Sequence, residues 1–391
     1  MKIAEIRTYQ LKAPLGKERF YSSQASFPER TSFLVEVISS DGRSGWGEGG
    51  QWGPTEPVAA VMEHIFAPRL IGRAVHQVGP IWEELYGYTQ DFARRGPYIE
   101  AMSALDVALW DLKGQDLGVP VHTLLGGAFR DSVQPYATGC YYRGADVTDE
   151  SAVLEAIQKE AASYVEDGFR MLKIKIGLWP VDADARRIRA VREAAGPGTG
   201  LLADANHAYR ASDAIRAGKV LEEEGYLMFE EPVPPDDLAG YRRVRESLSL
   251  AISGGECEYT RWGFRELIAG GYLDIVQPDI SASGGLSEFM KIIALATAYN
   301  ILVLPHVWGS GVALAASLQA LALIPGSPHR AFPIPFETEP VVEFDRNPNP
   351  LRDDLLKTPF ELVDGRLGIP QKPGLGIEID RGVLKKFAIR L

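Results

Sequence analysis

Short apolar stretches alternate with amphipathic helical patterns from about residue 132 onward, and this alternation constrains the fold most strongly. The apolar stretches lie near residues 133–138, 171–175, 200–204, 227–231, 250–256, 274–278, 302–306 and 340–344. Helical patterns separate most of them, for example at 183–195, 211–224 and 287–299. Eight strands alternating with helices predict an α/β fold, a (β/α)₈ barrel of TIM type, with functional side chains at the carboxyl ends of the strands. A doubly wound open sheet is the alternative, but no glycine-rich phosphate-binding turn follows the early strands.

The segments on either side of this alternation differ from it. Strand patterns near residues 3–6 and 35–37 and helical patterns near 55–70 and 98–115 are typical of an α+β unit. We therefore predict an N-terminal α+β capping domain, a barrel and a C-terminal segment that returns to the capping domain, at residues 1–125, 126–355 and 356–391.

Two polar segments of the capping domain predict loops. Residues 13–32 are rich in serine and proline and weakly periodic, which predicts a long mobile loop, and a second loop is expected at 49–57. Loops of this kind commonly close over an active site. We expect these two to cover the barrel mouth and to select the substrate.

Composition argues against several classes of protein. The chain of 391 residues is 46% hydrophobic and 24% charged, as is typical of a globular protein with a substantial core. A net charge of −11 argues against nucleic acid as a partner. No apolar run approaches the roughly 18 residues of a membrane span, and the first ten residues lack a signal-peptide pattern. Cys140 and Cys257 are expected to be reduced, which favours a cytoplasmic location.

Three acidic residues end consecutive predicted strands. Asp204, Glu230 and Glu256 follow apolar stretches at equal spacing, about one βα unit apart. They are expected to meet on one side of the barrel mouth, where three buried carboxylates repel each other strongly without a cation. Hard oxygen ligands of this kind suit Mg²⁺ better than zinc. Acidic residues that merely cap the following helices are the alternative for any one position.

Two lysines lie on one face of the second predicted strand. Lys173 and Lys175 are two residues apart, so their side chains point the same way, into the barrel. Each positive charge is expected to lower the pKa of the other lysine, which would make a neutral amine available as a base. A pair of solvated lysines on an edge strand is the alternative.

An aspartate follows the sixth predicted strand, and a histidine ends the seventh, which is its neighbour. Asp279 is expected to accept a hydrogen bond from one nitrogen of His306, which would orient the imidazole and raise its proton affinity. Because strands two and seven lie across the barrel from one another, Lys175 and His306 could act on opposite faces of one carbon atom. A purely structural histidine is the alternative.

Six ordered motifs carry a family resemblance: Lys173-Ile174-Lys175, Asp204-Ala205-Asn206, Glu230-Glu231-Pro232, Gly255-Glu256, Pro278-Asp279 and Pro305-His306. Together they resemble the mandelate racemase group of the enolase superfamily, which combines a lysine or histidine base with Mg²⁺. Residues 104–111 and 124–127 are similar to the family's junction into the barrel, so the resemblance covers nearly the whole chain. Within the group, the chain most resembles the galactarolactone cycloisomerases, and some of its stretches are shared by acid-sugar dehydratases.

The resemblance implies roles for the residues of these motifs. It implies that three carboxylates bind Mg²⁺: Asp204, Glu230 and Glu256. Lys175 would be one acid/base, and Lys173 would contact the substrate carboxylate. His306, paired with Asp279, would be the other acid/base. Muconate-lactonising enzymes have a lysine where Asp279 stands, so that subgroup fits poorly.

Further residues are assigned less directly. The family often uses a glutamate from the last strand to donate a hydrogen bond to the intermediate, and Glu343 is the candidate, with Glu337 and Glu339 close by. Asn206 is expected to lie next to the metal ligands without contacting the metal itself. His207 either contacts the substrate or packs at the barrel rim.

The resemblance implies an isomerase or lyase that removes the proton next to a carboxylate of a sugar-derived acid or lactone, through an enediolate. Cycloisomerisation, dehydration and racemisation remain open, and a non-catalytic metabolite-binding barrel is the alternative from another class. Polar residues at 17–30 and 141–143 favour a hydroxyl-rich small-molecule carboxylate over an aryl acid. Family analogy also implies a homo-oligomer.

Overall fold

The computed structural model describes residues 1–50, 52–143 and 147–390. Three N-terminal strands and the last strand of the chain form a four-stranded antiparallel sheet. An eight-stranded parallel sheet surrounded by helices forms a (β/α)₈ barrel, so the predicted fold class is confirmed. Within the described ranges, no helix is both long enough and apolar enough to cross a membrane.

The sixteen strands that the structure describes are β1 (Ile3–Pro14), β2 (Phe20–Tyr21), β3 (Ser26–Phe27), β4 (Glu29–Ser39), β5 (Ser44–Gly49), β6 (Ser132–Val133), β7 (Pro135–Thr138), β8 (Met171–Lys175), β9 (Gly200–Asp204), β10 (Met228–Glu230), β11 (Ala251–Gly254), β12 (Ile275–Val276), β13 (Leu302–Val303), β14 (Val342–Asp345), β15 (Leu367–Gly368) and β16 (Ala388–Arg390). The α-helices are α1 (Glu56–Val61), α2 (Ala67–Leu70), α3 (Val78–Thr89), α4 (Pro97–Leu117), α5 (Val121–Leu124), α6 (Glu150–Glu166), α7 (Val181–Ala195), α8 (Ala211–Glu223), α9 (Leu238–Ser247), α10 (Thr260–Ala269), α11 (Gly285–Ala298), α12 (Gly311–Leu321), α13 (Pro350–Asp353) and α14 (Arg381–Phe387). A π-helical segment, Met62–Phe66, joins α1 to α2.

The capping sheet has the strand order β16-β1-β4-β5, and α4 packs closely against β5. Alternate residues of β5 are glycines, and they face this helix. A Cβ atom at Gly47 would lie 1.9 Å from the carbonyl oxygen of Ala104, and one at Gly45 would lie 2.2 Å from that of Ala108. The alternating glycines therefore allow the helix backbone to touch the sheet, which no residue with a side chain would permit.

This close approach predicts a large loss of stability in Gly47→Ala. The added methyl group meets backbone atoms, which cannot rotate away, so we expect the free energy of unfolding to fall by about 3 kcal/mol. Gly79→Ala is the matched control, because a Cβ atom at Gly79 in α3 has no neighbour within 4 Å. Urea unfolding measures both variants. Equal stability of Gly47→Ala and the parent protein would contradict the packing described for β5.

The barrel consists of strands β7 to β14, each followed by one of the helices α6 to α13. Backbone ladders join the strands in the order β13-β12-β11-β10-β9-β8-β7-β14. At the seam between β13 and β14, the Glu343 carboxylate accepts a hydrogen bond of 3.1 Å from the Val307 amide. A layer of apolar side chains fills the barrel interior: Tyr136, Met171, Leu202, Met228, Ile275, Leu304 and Val341. The polar groups at the mouth therefore stand on a packed apolar floor.

Several barrel strands are shorter than predicted at their carboxyl ends. Asp204 and Glu230 end β9 and β10 and are register partners. Glu256, however, lies two residues beyond the end of β11, after Gly255 with a φ of +116°. The expectation that Glu256 ends its strand is therefore wrong, although its carboxylate still meets the other two at the barrel mouth. A left-handed turn at Gly255, open to glycine alone at low cost, brings it to the others.

The segment 13–32, predicted to be one long loop, is largely ordered structure. Its first residues belong to β1 and its last to β4, and β2 and β3 form a short antiparallel hairpin between them. The Ser23 hydroxyl donates a hydrogen bond of 2.7 Å to the Ala205 carbonyl, next to the end of β9. The prediction failed because the apolar Phe20 and Phe27, whose rings lie 5.1 Å apart, stabilise the hairpin within a polar sequence.

The C-terminal residues contact the capping sheet. Strand β16 pairs antiparallel with β1, and the Arg381 guanidinium donates a hydrogen bond of 2.9 Å to the Glu36 carboxylate of β4. Strand β15 pairs with β6 at the bottom of the barrel. The last segment thus bridges the barrel and the capping sheet.

Candidate active site

The carboxylates of Asp204, Glu230 and Glu256 meet at the barrel mouth, with oxygen atoms within 4.8 Å of one another. All three are buried. Burial, together with the neighbouring carboxylates, raises the pKa of Glu230 and of Glu256 in spite of the cations nearby. Burial also opposes ionisation of Asp204, but Lys175 and Lys173 hold its pKa below the usual value. Three buried carboxylates that repel each other form a donor set of hard oxygens, which fits a divalent cation such as Mg²⁺.

Both predicted lysines point into the barrel, as the strand alternation requires. The Lys173 ammonium lies 2.9 Å from a Glu230 oxygen and 2.8 Å from a Glu343 oxygen. The Lys175 ammonium donates a hydrogen bond to Asp204. Neither lysine is solvated, so the edge-strand alternative is wrong.

The expectation of a lowered lysine pKa is also wrong for this arrangement. Burial lowers the pKa of Lys173, but Glu230 and Glu343 outweigh this effect and raise it well above the ordinary value. Asp204 likewise raises the pKa of Lys175, although burial and Lys173 lower it. The repulsion between the two lysines does lower their pKa values, but the carboxylates that face them raise these values by more.

His306 and Asp279 form the expected pair. Nδ1 of His306 lies 2.7 Å from an Asp279 oxygen, and its Nε2 lies 3.4 Å from a Glu256 oxygen. Burial lowers the pKa of His306, but Glu256 and the hydrogen bond to Asp279 raise it to about 10. The ring is therefore an imidazolium at neutral pH, fixed at one nitrogen and directed with the other toward the carboxylates.

Glu343 is the glutamate of the last strand that faces this site. Its carboxylate contacts Lys173, accepts a hydrogen bond of 2.6 Å from the Thr138 hydroxyl and lies 3.9 Å from Nε2 of His306. The other two candidates point elsewhere: Glu339 pairs with arginines on the far side, and Glu337 pairs with an arginine at the surface.

The protonation state of Glu343 differs from the expectation. Burial raises its pKa, but Lys173 and His306 outweigh burial and hold the pKa below the usual range. Glu343 is therefore an ionised acceptor in this arrangement, whereas the predicted role requires it to donate a hydrogen bond. Glu343 instead accepts a hydrogen bond from Thr138, a residue to which the sequence assigned no role. The strand alternation could have found it, because Thr138 and Tyr136 share the inward face of β7.

Asn206 and His207 lie in the turn that follows β9. Both have a positive φ, of 43° and 66°, and the Asn206 amide donates a hydrogen bond of 2.7 Å to Asp204. Strained backbone of this kind is common at functional sites. Nε2 of His207 lies 2.9 Å from an oxygen of Glu231, which follows Glu230 and was not singled out from the sequence.

The mouth itself is more aromatic than predicted. Phe20 and Phe27 of the hairpin pack against Tyr141 and Trp308, with ring centroids 4.8 to 6.2 Å apart. These four rings, with Leu15, form an apolar cover above the polar site. The site lies beneath this cover, where the carboxylate triad, the two lysines, His306, Asp279 and Glu343 each expose 6% of their surface or less.

Most of the polar residues expected to bind a hydroxyl-rich ligand make internal contacts instead. Arg30 pairs with Asp345, Tyr142 donates a hydrogen bond to Asp184, Arg143 pairs with Glu160, and Ser23 contacts the backbone beside β9. Their polarity serves the packing of the loops. The hydroxyl-rich substrate therefore stays a prediction, and these four contacts do not support it.

Two family models match the chain. The N-terminal domain of mandelate racemase / muconate lactonizing enzyme matches residues 10–126, and an enolase C-terminal domain-like model matches residues 156–383. The chain belongs to the mandelate racemase group of the enolase superfamily. The resemblance that the six motifs carry is thereby confirmed.

Named relatives and solved structures indicate an enzyme. The chain is 42% identical to the D-galactarolactone cycloisomerase of Agrobacterium fabrum, with 99% of each chain covered. It is 34% identical to the arabinonate dehydratase of Saccharolobus solfataricus, covering 98% of this chain and 99% of the relative. The structure of the 3,6-anhydro-D-galactonate cycloisomerase from Zobellia galactanivorans superposes with a TM-score of 0.88 at 36% identity over the whole of both chains. This member of the family is therefore an enzyme of the class that includes acid-sugar cycloisomerases and dehydratases.

A further similar structure is relevant to metal binding. The structure of a racemase from Streptomyces coelicolor A3(2) with bound magnesium has a TM-score of 0.86 at 28% identity, covering 99% of this chain and 100% of that one. In the present chain, the carboxylate triad of Asp204, Glu230 and Glu256 is a group that could hold a metal ion.

Proposed function

We propose that this enzyme is a Mg²⁺-dependent cycloisomerase of a sugar-derived lactone, of the galactarolactone type. One observation carries the chemistry: a buried carboxylate triad lies between a lysine and an imidazolium, Lys175 and His306, that are fixed by their own acidic partners. The identity of 42% to D-galactarolactone cycloisomerase over nearly the whole chain supports the choice of substrate.

The triad of Asp204, Glu230 and Glu256 would hold the Mg²⁺ ion. When bound, Mg²⁺ would polarise the substrate carboxylate and offset the negative charge that keeps the pKa values of Lys175 and His306 high. Its three protein ligands leave room for substrate oxygens, as Mg²⁺ sites usually do.

Lys173 would orient the substrate carboxylate. Its ammonium is fixed between Glu230 and Glu343 and directed toward the mouth from the same strand face as Lys175. A cation held by two carboxylates keeps its position when the substrate arrives, so little reorganisation is required. Glu343, held in turn by Thr138, keeps Lys173 and the turn after β13 together.

Lys175 and His306 would move the proton. Lys175 ends the second strand of the barrel and His306 follows the seventh, so that a substrate carbon between them would be approached from two sides. One of them takes the α-proton to leave an enediolate, and Asp279 keeps the His306 ring in one orientation throughout. A proton is then available from the other side, because the partner group is still protonated.

The fate of the enediolate decides among the related reactions. Departure of the lactone carboxylate gives cycloisomerisation, departure of hydroxide gives dehydration, and return of a proton alone gives racemisation. Dehydration of an acid sugar is the second candidate, since an arabinonate dehydratase is 34% identical over the full length.

A substrate screen tests the choice of lactone. Acid sugars, their lactones and mandelate are incubated with the enzyme and Mg²⁺ in deuterated water and followed by NMR. We expect a galactaric-type lactone to be converted with the highest kcat/KM, an aldonic acid weakly, and mandelate not at all. Conversion confined to aromatic or amino-acid-derived substrates would contradict the proposal, and faster loss of water from aldonic acids would favour the dehydratase.

A further inference from the structure

A second group of potential metal ligands lies beside the carboxylate triad. Nε2 of His207, an oxygen of Glu231 and Sγ of Cys257 all lie within 4.8 Å of one another. Each comes from the turn after a different strand, β9, β10 and β11, and each lies within three residues of a member of the triad. The three side chains thus form a separate cluster on the same side of the barrel mouth.

One distance within this cluster matches that between the ligands of a tetrahedral metal ion, and a second is a few tenths of an ångström shorter. Sγ of Cys257 lies 3.5 Å from Nε2 of His207, and an oxygen of Glu231 lies 2.9 Å from the same nitrogen. Ligand distances of about 2.3 Å for sulfur and about 2.0 Å for nitrogen and oxygen place tetrahedral neighbours about 3.3 to 3.5 Å apart. Small side-chain adjustments would therefore suffice for all three to contact one ion.

The backbone also holds the ligands in place. His207 and Glu231 both have a positive φ, and the His207 amide donates a hydrogen bond of 2.9 Å to the Glu231 carbonyl. Glu231 is almost completely buried, and His207 keeps only 11% of its side chain exposed. Two strained, hydrogen-bonded turns thus fix an imidazole and a carboxylate toward each other at a largely buried position.

The chemistry of the donors selects the metal. A thiol, an imidazole and one carboxylate are the ligands of Zn²⁺ and other thiophilic cations, whereas Mg²⁺ takes oxygen ligands and discriminates against sulfur. The negative charge of the neighbouring triad favours a cation at this position. The fourth tetrahedral position would be taken by water.

We propose that His207, Glu231 and Cys257 form a second divalent-metal site, selective for a thiophilic ion such as Zn²⁺ and distinct from the carboxylate triad. The ion takes the place of the proton that His207 shares with Glu231, and the Cys257 thiol loses its proton to solvent on binding. This inference depends on the geometry of the cluster and not on the reaction proposed above.

Cobalt binding to the Mg²⁺-saturated enzyme tests the proposal. Co²⁺ is the probe because a cobalt–thiolate bond has an intense charge-transfer absorption that carboxylate ligands do not produce. We expect this absorption to saturate at one Co²⁺ per chain and to be displaced by Zn²⁺. It should disappear in Cys257→Ser, and Co²⁺ affinity should fall roughly tenfold or more in His207→Gln.

Cys140→Ser is the matched control, because Cys140 is the other cysteine of the chain and is buried. It should keep both the absorption and the stoichiometry. Circular dichroism of the two serine variants verifies that both are folded. Co²⁺ binding without the thiolate absorption, or the same spectrum in Cys257→Ser and the parent enzyme, would overturn the proposal, since the metal would then occupy the carboxylate triad alone.

Discussion

Replacing Glu230 with glutamine is expected to reduce turnover about a thousandfold or more and to abolish tight Mg²⁺ binding. Metal polarisation of a carboxylate stabilises a transition state by several kcal/mol, and each 1.4 kcal/mol corresponds to about tenfold in rate. Glutamine keeps the shape of the side chain and one oxygen that can accept a hydrogen bond from the Lys173 ammonium, so the variant should remain folded. Calorimetric titration with Mg²⁺ and steady-state kinetics measure the two effects.

Glu223→Gln provides the control for the charge change. Glu223 ends α8 in the same barrel, and its side chain is 65% exposed. It should bind Mg²⁺ and turn over substrate like the parent enzyme. If Glu230→Gln kept full activity, or if exhaustive chelation left the parent enzyme fully active, the metal would have no part in the reaction.

Lys175→Ala and His306→Asn are each expected to remove α-proton exchange from one face of the substrate, with rate losses on the order of a hundredfold or more. The two groups approach from different strands, so each variant leaves the other acid/base in place. His306→Asn keeps a polar group of similar length beside Asp279, which limits damage to the packing. Exchange of the two stereoisomers in deuterated water, followed separately by NMR, measures the effect.

Lys219→Ala is the control for loss of a lysine, since Lys219 lies on the exposed side of α8. It should exchange both stereoisomers at the parent rate. Parent-like exchange of both stereoisomers in both Lys175→Ala and His306→Asn would show that the two residues do not act from opposite faces.

The periodicity of the sequence predicts the fold well, because short apolar stretches and helical patterns are local properties. Strands β8 and β9 begin and end at the predicted residues. Strands β10 to β13 end earlier than predicted, since the chain leaves the sheet to bring functional groups over the mouth. Glu256 shows this most clearly: its position depends on the backbone turn at Gly255, which strand spacing does not encode.

The identities of the site residues could also be predicted from the sequence, whereas their protonation states could not. Strand alternation places Lys173 and Lys175 in the barrel, and spacing brings His306 to Asp279. The pKa values, however, depend on the carboxylates that surround each group in three dimensions. This is why Lys175 has a raised pKa and Glu343 a lowered one, each opposite to the expectation for its role.

The cover over the site could not be predicted because its contacts connect distant segments. Phe20 and Phe27 of the hairpin meet Tyr141 and Trp308 across more than a hundred residues of sequence. Polar neighbours such as Arg30 form buried ion pairs with other residues of the protein. A polar sequence therefore forms an aromatic cover, and the substrate proposal depends on the relatives more than on the loops.

Solvent-deuterium incorporation into product tests the central claim, proton removal next to a carboxylate, most directly. The parent enzyme is incubated with Mg²⁺ and a galactaric-type lactone in deuterated water, and the product is examined by NMR and mass spectrometry. The account predicts that the carbon next to the reacting carboxylate loses its hydrogen and becomes a ketone carbon. The neighbouring carbon, which loses the leaving group, gains one deuteron, because the enol left by elimination is protonated there from solvent or from a solvent-exchanged group. Complete conversion to a product that keeps the original hydrogen at the carbon next to the carboxylate, with no deuteron at the neighbouring carbon, would contradict it.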